Sequence, residues 1–243
     1  MSNGLFIDMC YNSFTVETAT ERRLIVNKTA AKAIVGSLGF PSKMPGTAWG
    51  ISAHDCKVGG KLRQVEGSTC SSCYAMKDNY VYPSVAKAHE TRKAGLDNPA
   101  WVSGMVMLLR ATHKRGMGKN GPIDSGWHRW FDSGDFQSVE HVAKICEVAH
   151  LTPEIRHWAA TRELAMIAKF VRAGGVVPAN LTVRVSATMV DDAGPKAWPT
   201  TSGVHHSKRA QGKACPAPSN DGKCGSCRAC WDRAVPHVSY GLH

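Results

Sequence analysis

The sequence predicts an α/β protein with a parallel sheet, and three observations support that class. Between residues 126 and 192, strand-like and helix-like stretches alternate in the order strand, helix, strand, helix, strand, which is typical of consecutive βαβ units. Hydrophobic residues make up 43% of the chain and charged residues 20%, so the chain can bury a core. No repeat or long linker divides the 243 residues, so residues 1–243 are expected to form a single domain.

The elements predicted before residue 126 are helices on either side of an irregular segment. Residues 28–39, KTAAKAIVGSLG, are expected to form a short helix that ends at a glycine. Residues 40–73 are rich in Gly, Ser and Pro, and such a long irregular segment is usually functional or held by a ligand. Two further helices are predicted at residues 83–95 and 98–116.

The later elements make up the βαβ pattern. Strands are predicted at residues 126–136, 154–163 and 181–192, and helices at residues 138–151 and 164–175. Each strand ends in polar residues, and ligands of parallel sheets bind where strands end. Ser, Asp and Thr are also good helix N-caps, so a structural role stays open. The polar ends are Asp132, Ser133 and Asp135 on the first strand, Thr161, Arg162 and Glu163 on the second, and Asp191 and Asp192 on the third.

Four cysteines near the end of the sequence predict a metal site. Cys215, Cys224, Cys227 and Cys230 have the spacing C-x8-C-x2-C-x2-C. Two-residue gaps let successive thiolates turn back onto one ion, and four thiolates suit a structural zinc site. The spacing C-x2-C-x2-C also occurs in bacterial ferredoxins, so an iron–sulfur cluster is the alternative. His237 is a spare ligand.

A second group of cysteines lies in the irregular segment. Cys56, Cys70 and Cys73 have the spacing C-x13-C-x2-C, and His54 stands two residues before the first of them. These four residues could hold a second metal ion, although structural thiols are an equal alternative. The C-x3-C-x2-C spacing of radical-SAM enzymes is absent, which argues against that chemistry. Cys10 and Cys146 stand alone and are interpreted as ordinary core or surface residues.

The charge of the chain favours a polyanionic partner. Thirty Lys and Arg residues against 19 Asp and Glu give a net charge of +11, and cations that contact phosphates gain affinity by counterion release. The basic residues concentrate around residues 111–119 and in residues 203–243, which are expected to be a metal-binding, nucleic-acid-contact segment. The predicted contacts are Lys114, Arg115, Lys208, Arg209, Lys213 and Arg228.

No membrane association is predicted. The sequence contains no apolar run of roughly 18 residues, the length that a membrane-spanning helix needs. Its first residues, MSNGLFIDMCYNSF, lack a basic stretch followed by an apolar one, so no secretory signal is expected. The protein is therefore expected to be cytoplasmic.

Residues 131–137, FDSGDFQ, resemble the DSGGFQ motif of the tRNA-guanine transglycosylase superfamily. The most similar members are the short phage-encoded DNA-guanine transglycosylases, which insert 7-deazaguanine bases such as preQ0 into DNA. The resemblance implies a (β/α)8 barrel with a cysteine-rich zinc site late in the chain, a DNA substrate and a phage-infected host cell. Because 243 residues are few for a full barrel, a compact or incomplete (β/α)8 TIM-like barrel with a cysteine-rich tail is expected.

The resemblance also implies residue roles. Asp132 matches the catalytic Asp of the motif, and the family's nucleophile comes from a later strand, where Asp191 or Asp192 stands. Attack of that carboxylate on the sugar would give a covalent intermediate, with Asp132 as acid and base and Asp135 as an alternative. The residues expected to hold the base are Ser133, Gly134, Phe136 and Gln137.

Two departures from the family pattern leave other functions open. Asp135 stands where the family has its second glycine, and the four late cysteines do not follow the family's C-x-C-x2-C arrangement with a distant histidine. The alternatives are a non-catalytic, zinc-stabilised nucleic-acid-binding protein, in which the acids are helix caps, and an iron–sulfur enzyme that acts on nucleic acid.

Overall fold

A parallel sheet forms the centre of the protein. The computed structural model describes residues 27–119, 121–206 and 209–242. Seven of its strands form one sheet, with neighbours in the order β1-β4-β5-β6-β7-β9-β8 and every pair parallel. These strands are β1 (Thr47–Trp49), β4 (Trp127–Trp130), β5 (Arg156–Thr161), β6 (Leu181–Ser186), β7 (Thr201–His205), β8 (Lys213–Ala214) and β9 (His237–Gly241), and a short antiparallel hairpin, β2 (Met117–Gly118) and β3 (Gly121–Pro122), precedes β4.

The sheet confirms the predicted α/β class. From β1 through β7 the strands that follow one another in this sheet are also neighbours, which is the order that a chain of βαβ units gives. In the part of the chain that the structure describes, β1 and β8 lie at opposite ends of the order, so the pairing does not close a barrel. Cys10, the first 14 residues and Lys208 lie outside the described residues.

Helices pack on one face of the sheet. They are α1 (Lys28–Val35), α2 (Val58–Leu62), α3 (Pro83–Ala94), α4 (Trp101–Arg115), α5 (Val139–Leu151) and α6 (Leu164–Arg172). On this face Trp49 packs edge to face on Trp130, on Trp101 of α4 and on His141 of α5. Buried apolar residues of α1, α5 and α6 join the same core.

The opposite face, here called the inner face, carries the side chains of Trp127, Arg129, Trp158 and Arg184. Residues 229–231 cover it, and Trp231 packs edge to face on both tryptophans. A parallel sheet is normally covered on both sides, and here an irregular segment takes the place of a second helical layer. As a result, β6 is buried on both faces. Thr182 and Arg184 on the inner face are as inaccessible to solvent as Leu181, Val183 and Val185 on the other.

Four strands of the sheet are absent from the sequence prediction. The first, β1, lies within the segment predicted as irregular, and β7, β8 and β9 lie in or next to the predicted basic tail. Two predicted helices are also shorter than expected: α1 ends before Gly36 (φ 73°), and α4 begins at Trp101 because Asn98 bonds to the N–H of Ala100 within the preceding turn.

Candidate functional site

Three thiols converge on the loop that follows β1. A β-carbon built on Gly59 would lie 3.4 Å from Cys70 Sγ and 3.7 Å from Cys56 Sγ, so both sulfurs face the same point. Cys73 follows within one turn, with its N–H donating to the carbonyl of Cys70 at 3.3 Å. The 13 residues between the first two thiols fold into α2 and tight turns, so the long gap does not separate them. Cys56, Cys70 and Cys73 are called the carboxyl-edge thiols below.

The charges around these thiols are coupled. Burial, together with the neighbouring charges of Asp135, Cys73 and Cys70, raises the pKa of Cys56 to about 12, whereas Arg162 acts to lower it. Burial also raises the pKa of Cys70, again against Arg162. Cys56 and Cys70 therefore stay protonated at neutral pH unless a cation binds them.

The loop with the thiols is tied to the ends of three other strands. Thr69 donates hydrogen bonds to the carbonyls of Ala187 and Thr188 after β6. Its hydroxyl also accepts from Nε and Nη2 of Arg162, which follows β5. The hydroxyls of Tyr74 and Tyr80 both donate to the carbonyl of Asp132 after β4. The thiols thus lie at the carboxyl edge of the sheet, where ligands of parallel α/β proteins bind.

Asp132 and Ser133 carry buried polar atoms with unused hydrogen-bonding capacity. Asp132 Oδ1 and Ser133 Oγ are both inaccessible to solvent, and neither has a hydrogen-bond partner among the described residues. Phe131, just before them, has a φ of 60°, a strained conformation for an aromatic residue that is typical of functional sites. The β4 loop therefore presents two groups that a ligand could bind.

The side chains of Asp135 and Gln137 make hydrogen bonds within the protein. The carboxylate of Asp135 accepts from Phe136 N–H (2.8 Å), Thr161 Oγ1 (2.6 Å) and Arg162 N–H (2.8 Å). Burial raises its pKa to about 6, against three donors that favour the ionised form. Gln137 Nε2 donates to the carbonyls of Asp55 and Asp135. The side chains of Asp135 and Gln137 therefore join loops to one another. The helix that follows, α5, is capped by Ser138, so the interpretation of Asp132 and Asp135 as helix caps is wrong.

The other predicted residues of the loop are structural. Phe136 is buried against Phe131 and His141, and Gly134 has a φ of 78° with Ile51 pressed against it. Asp191 and Asp192 follow β6: Asp191 Oδ1 accepts from the N–H of His206 and its own N–H donates to the carbonyl of Val204 of β7, while Asp192 is exposed.

The four late cysteines, called the tail thiols below, lie around one small cavity. Cys215, Cys224, Cys227 and Cys230 line it together with Lys213, Trp231 and Val238, and its volume is about 20 Å³. Burial raises the pKa of Cys230 to about 11. Arg129, in mid-strand, stacks on Trp158 at 4.8 Å and donates to Tyr74. Its charge lowers the pKa of Cys224 and Cys230.

Histidines predicted as spare ligands are not in contact with either group. His54 is exposed on a turn, and His237 Nδ1 bonds to Thr201 Oγ1. In the ranges described, no group of three or more His, Cys, Asp and Glu side chains is arranged to hold a metal ion. Both metal sites therefore stay predictions.

The predicted nucleic-acid contacts are dispersed. Lys114 and Arg115 end α4, which is joined to the start of β4 by hydrogen bonds from Ser125 and Gly126 to His113, so they lie away from the carboxyl edge. Lys213 and Arg209 are exposed. Arg228 pairs with Asp124 and lies 5.3 Å from the ring of Trp127.

Sequence reasoning missed several residues at the carboxyl edge. Tyr74, Tyr80 and Arg129 belong to no recognisable sequence motif. They come together only because the loop after β1 folds across the end of β4. Gly59 could have been noticed as one of two adjacent glycines between cysteines. Arg162 appeared only as a polar strand end.

The fold and these loops define the class: an α/β protein whose parallel sheet carries three thiols and a carboxylate at its carboxyl edge. The family model of gene product 88 matches residues 15–233, so the chain belongs to the gene product 88 family. No curated protein matches the chain. No solved structure matches it either. Within the described residues, no helix combines the length and the apolar character needed to cross a membrane.

Proposed function

We propose that the protein is an iron–sulfur enzyme that holds its cluster on the carboxyl-edge thiols and acts on nucleic acid. The convergence of Cys56 and Cys70 beside Gly59, with Cys73 one turn from Cys70 at the edge where the strands end, is the observation that carries this proposal. Three thiolates bind three irons of a [4Fe–4S] cluster and leave one iron open to another ligand.

The residues around the thiols fit such a group. The thiolates of a cluster bind different iron atoms, and Cys56 and Cys70 face one point. A β-carbon on Gly59 would already contact both of these sulfurs and lie 3.1 Å from Cys56 Cβ, so a larger side chain would press on them. Arg162 supplies a positive charge beside them, and cations stabilise thiolates.

A cluster held by Cys56, Cys70 and Cys73 would supply one-electron chemistry to a bound cosubstrate. The protein's own residues position the ligand. Asp132 Oδ1 and Ser133 Oγ are available to accept or donate hydrogen bonds. Tyr74 and Tyr80 hold the thiol loop on β4, which keeps these two groups beside the cluster.

A nucleic-acid substrate is supported by charge and by exposed aromatic surface next to the thiols. The net charge is +11, and Tyr74 and Tyr82 are about half exposed on the same loop. Aromatic rings beside basic residues stack on unpaired bases. The family match is compatible with a phage origin.

The test is anaerobic reconstitution of the full chain with iron and sulfide. We expect about four irons and a brown colour for the wild type, and loss of most of the iron in Cys56→Ser, Cys70→Ser and Cys73→Ser. Cys146→Ser, which removes a buried thiol from α5, is the matched control and should retain its iron. Iron that is unchanged in all three variants would exclude the proposed cluster.

The two glycines of α2 provide an independent test of the same site. Gly59→Val places methyl groups against Cys56 and Cys70, whereas Gly60→Val points into space that is open for 4 Å. We expect Gly59→Val to lose most of its iron and Gly60→Val to retain it, as measured by iron content and visible absorption. Equal iron in both variants would contradict a cluster at this position.

A DNA-guanine transglycosylase is the second candidate, because Asp132 and Ser133 match the family motif and have unused buried atoms. The bonds of Asp135 and Gln137 weigh against it. Duplex DNA incubated with protein and preQ0, then digested for mass spectrometry, should contain a modified deoxynucleoside if this candidate is correct. Asp132→Asn should abolish the product. Unmodified DNA from folded protein would exclude the transglycosylase and leave the iron–sulfur proposal untouched.

A further inference from the structure

We infer that the tail thiols bind one zinc ion, independently of the carboxyl-edge thiols, and that this ion fixes the segment that covers the inner face of the sheet. All four sulfur-bearing residues line one cavity of about 20 Å³. A cavity of this size has room for at least one ion-sized body. Four thiolates are a complete ligand set for structural zinc.

The backbone brings the thiols together from separate elements. Cys215 follows β8 and its N–H donates to the carbonyl of Ser239 on β9, whereas the N–H of Cys224 donates to the carbonyl of Lys43, ahead of β1. Gly222 and Gly225 have φ values of 73° and 54°, which allow the tight turns on either side of Cys224. The N–H of Cys227 closes a turn onto Cys224 at 3.0 Å. An ion at the centre would therefore join distant parts of the chain.

The segment has little else to stabilise it internally. Between Cys215 and Trp231 the described backbone forms only two three-residue turns of 3-10 helix, Ala217–Ser219 and Ala229–Trp231. Its buried apolar residues are Ala229 and Trp231, and both pack outward onto the sheet. Segments that lack a core of their own are commonly held by a structural metal.

The hydroxyl of Tyr240 lies close enough to hydrogen-bond to one of the four sulfurs. Tyr240 of β9 lies with its oxygen 3.2 Å from Cys230 Sγ. A hydroxyl donor to a metal-bound thiolate orients the ligand and stabilises its negative charge. Arg184 holds the backbone of the same residue through the carbonyl of Cys230 at 3.0 Å. The sulfur and the main chain of Cys230 are thus both held by neighbouring residues.

The experiment measures zinc and iron on the same full-length samples. We expect about one zinc per chain, lost in Cys224→Ser with Cys227→Ser, while the iron on the carboxyl-edge thiols is retained. Cys56→Ser with Cys70→Ser should show the opposite pattern, and Cys146→Ser should show neither loss. This crossed design separates failure of the zinc site from failure of the proposed iron–sulfur function.

A measurement on the wild type avoids the risk that a variant does not fold. Alkylation before and after removal of zinc with a chelator, followed by peptide mass spectrometry, should show new labelling at Cys215, Cys224, Cys227 and Cys230 in step with the zinc released. Removal of zinc should also lower the midpoint of thermal unfolding. Zinc that is retained in the double variant, zinc release without new labelling of these four cysteines, or iron that follows the tail thiols would each overturn the inference.

Discussion

At the scale of single residues, the two acids of the β4 loop have opposite surroundings. Asp132 keeps a buried oxygen without a partner among the described residues, whereas both oxygens of Asp135 accept hydrogen bonds that join the ends of β4 and β5. The first arrangement suits a ligand, and the second suits a structural crosslink. The same residue type, three positions apart, therefore serves different purposes.

Replacing each acid with its amide distinguishes these purposes. Asp135→Asn puts an NH₂ group against donors, so we expect the free energy of unfolding to fall by about 2–3 kcal/mol. Asp132→Asn should change the free energy of unfolding by less than about 1 kcal/mol, because no described hydrogen bond is lost. Urea titration followed by tryptophan fluorescence measures both. Equal destabilisation of the two variants would contradict the assignment of Asp135 as the crosslink.

Single residues also show the limit of the sequence. The tail cysteines were found from spacing alone, because close spacing is itself the signal. The role of Asp135 could not be found, because its partners, Thr161 and Arg162, come from the next strand and only the fold brings them together.

At the scale of elements, Arg184 of β6 joins the sheet to its irregular cover. Its guanidinium is fully buried and donates to the carbonyls of residues 201, 229, 230, 232 and 235 at 2.7–3.2 Å. Arginine suits this position because its donors are rigid and spread in a plane.

Removing this guanidinium should therefore loosen the cover. Arg184→Met leaves several carbonyls unpaired, and we expect the free energy of unfolding to fall by about 3 kcal/mol. Arg172→Met, at the exposed end of α6, is the control and should have little effect. Chemical denaturation gives the free energy, and the fluorescence of Trp231 should respond first. A variant as stable as the wild type would show that water replaces the guanidinium.

Elements with a strong period were predicted correctly, and short strands were missed. Strands β4, β5 and β6 were predicted because they alternate with α5 and α6, whose apolar residues repeat at helical spacing. Strand β1 has three residues, TAW, all buried, so it shows no alternation. Strands β7 and β9 carry Ser, Gly, His and Tyr, so they show little of the apolar alternation that predicts a strand.

At the scale of the whole molecule, stability depends on histidines kept neutral in the core. The N–H groups of Trp130 and Gly126 donate to Nδ1 of His157 and His113, so each ring must carry its proton on Nε2, which bonds to a threonine. Burial lowers the pKa of His157 and His141 to about 3 and that of His113 to about 4.

Acid should therefore unfold the protein between pH 6.5 and 4. These pKa values lie below the unfolded value of 6.5, so the unfolded chain binds more protons and stability falls as the pH decreases. Each histidine should contribute about 1.4 kcal/mol per pH unit in this range. Calorimetric midpoints from pH 7.5 to 4.5 measure the slope, and His157→Gln should flatten it. A midpoint that does not change with pH would contradict the neutral assignment.

The one-sided helical layer has a consequence for synthesis. Trp158 and Arg184 leave the ribosome well before the residues that cover them, and β9 must insert between β7 and β8, which precede it. At about 5–20 residues per second, the stretch from Thr201 to Gly241 takes about 2–8 s to translate. During that time the nascent chain exposes a bare sheet surface and an unpaired strand edge. Slower growth at low temperature, or a chaperone that shields this surface, should raise the yield of native protein.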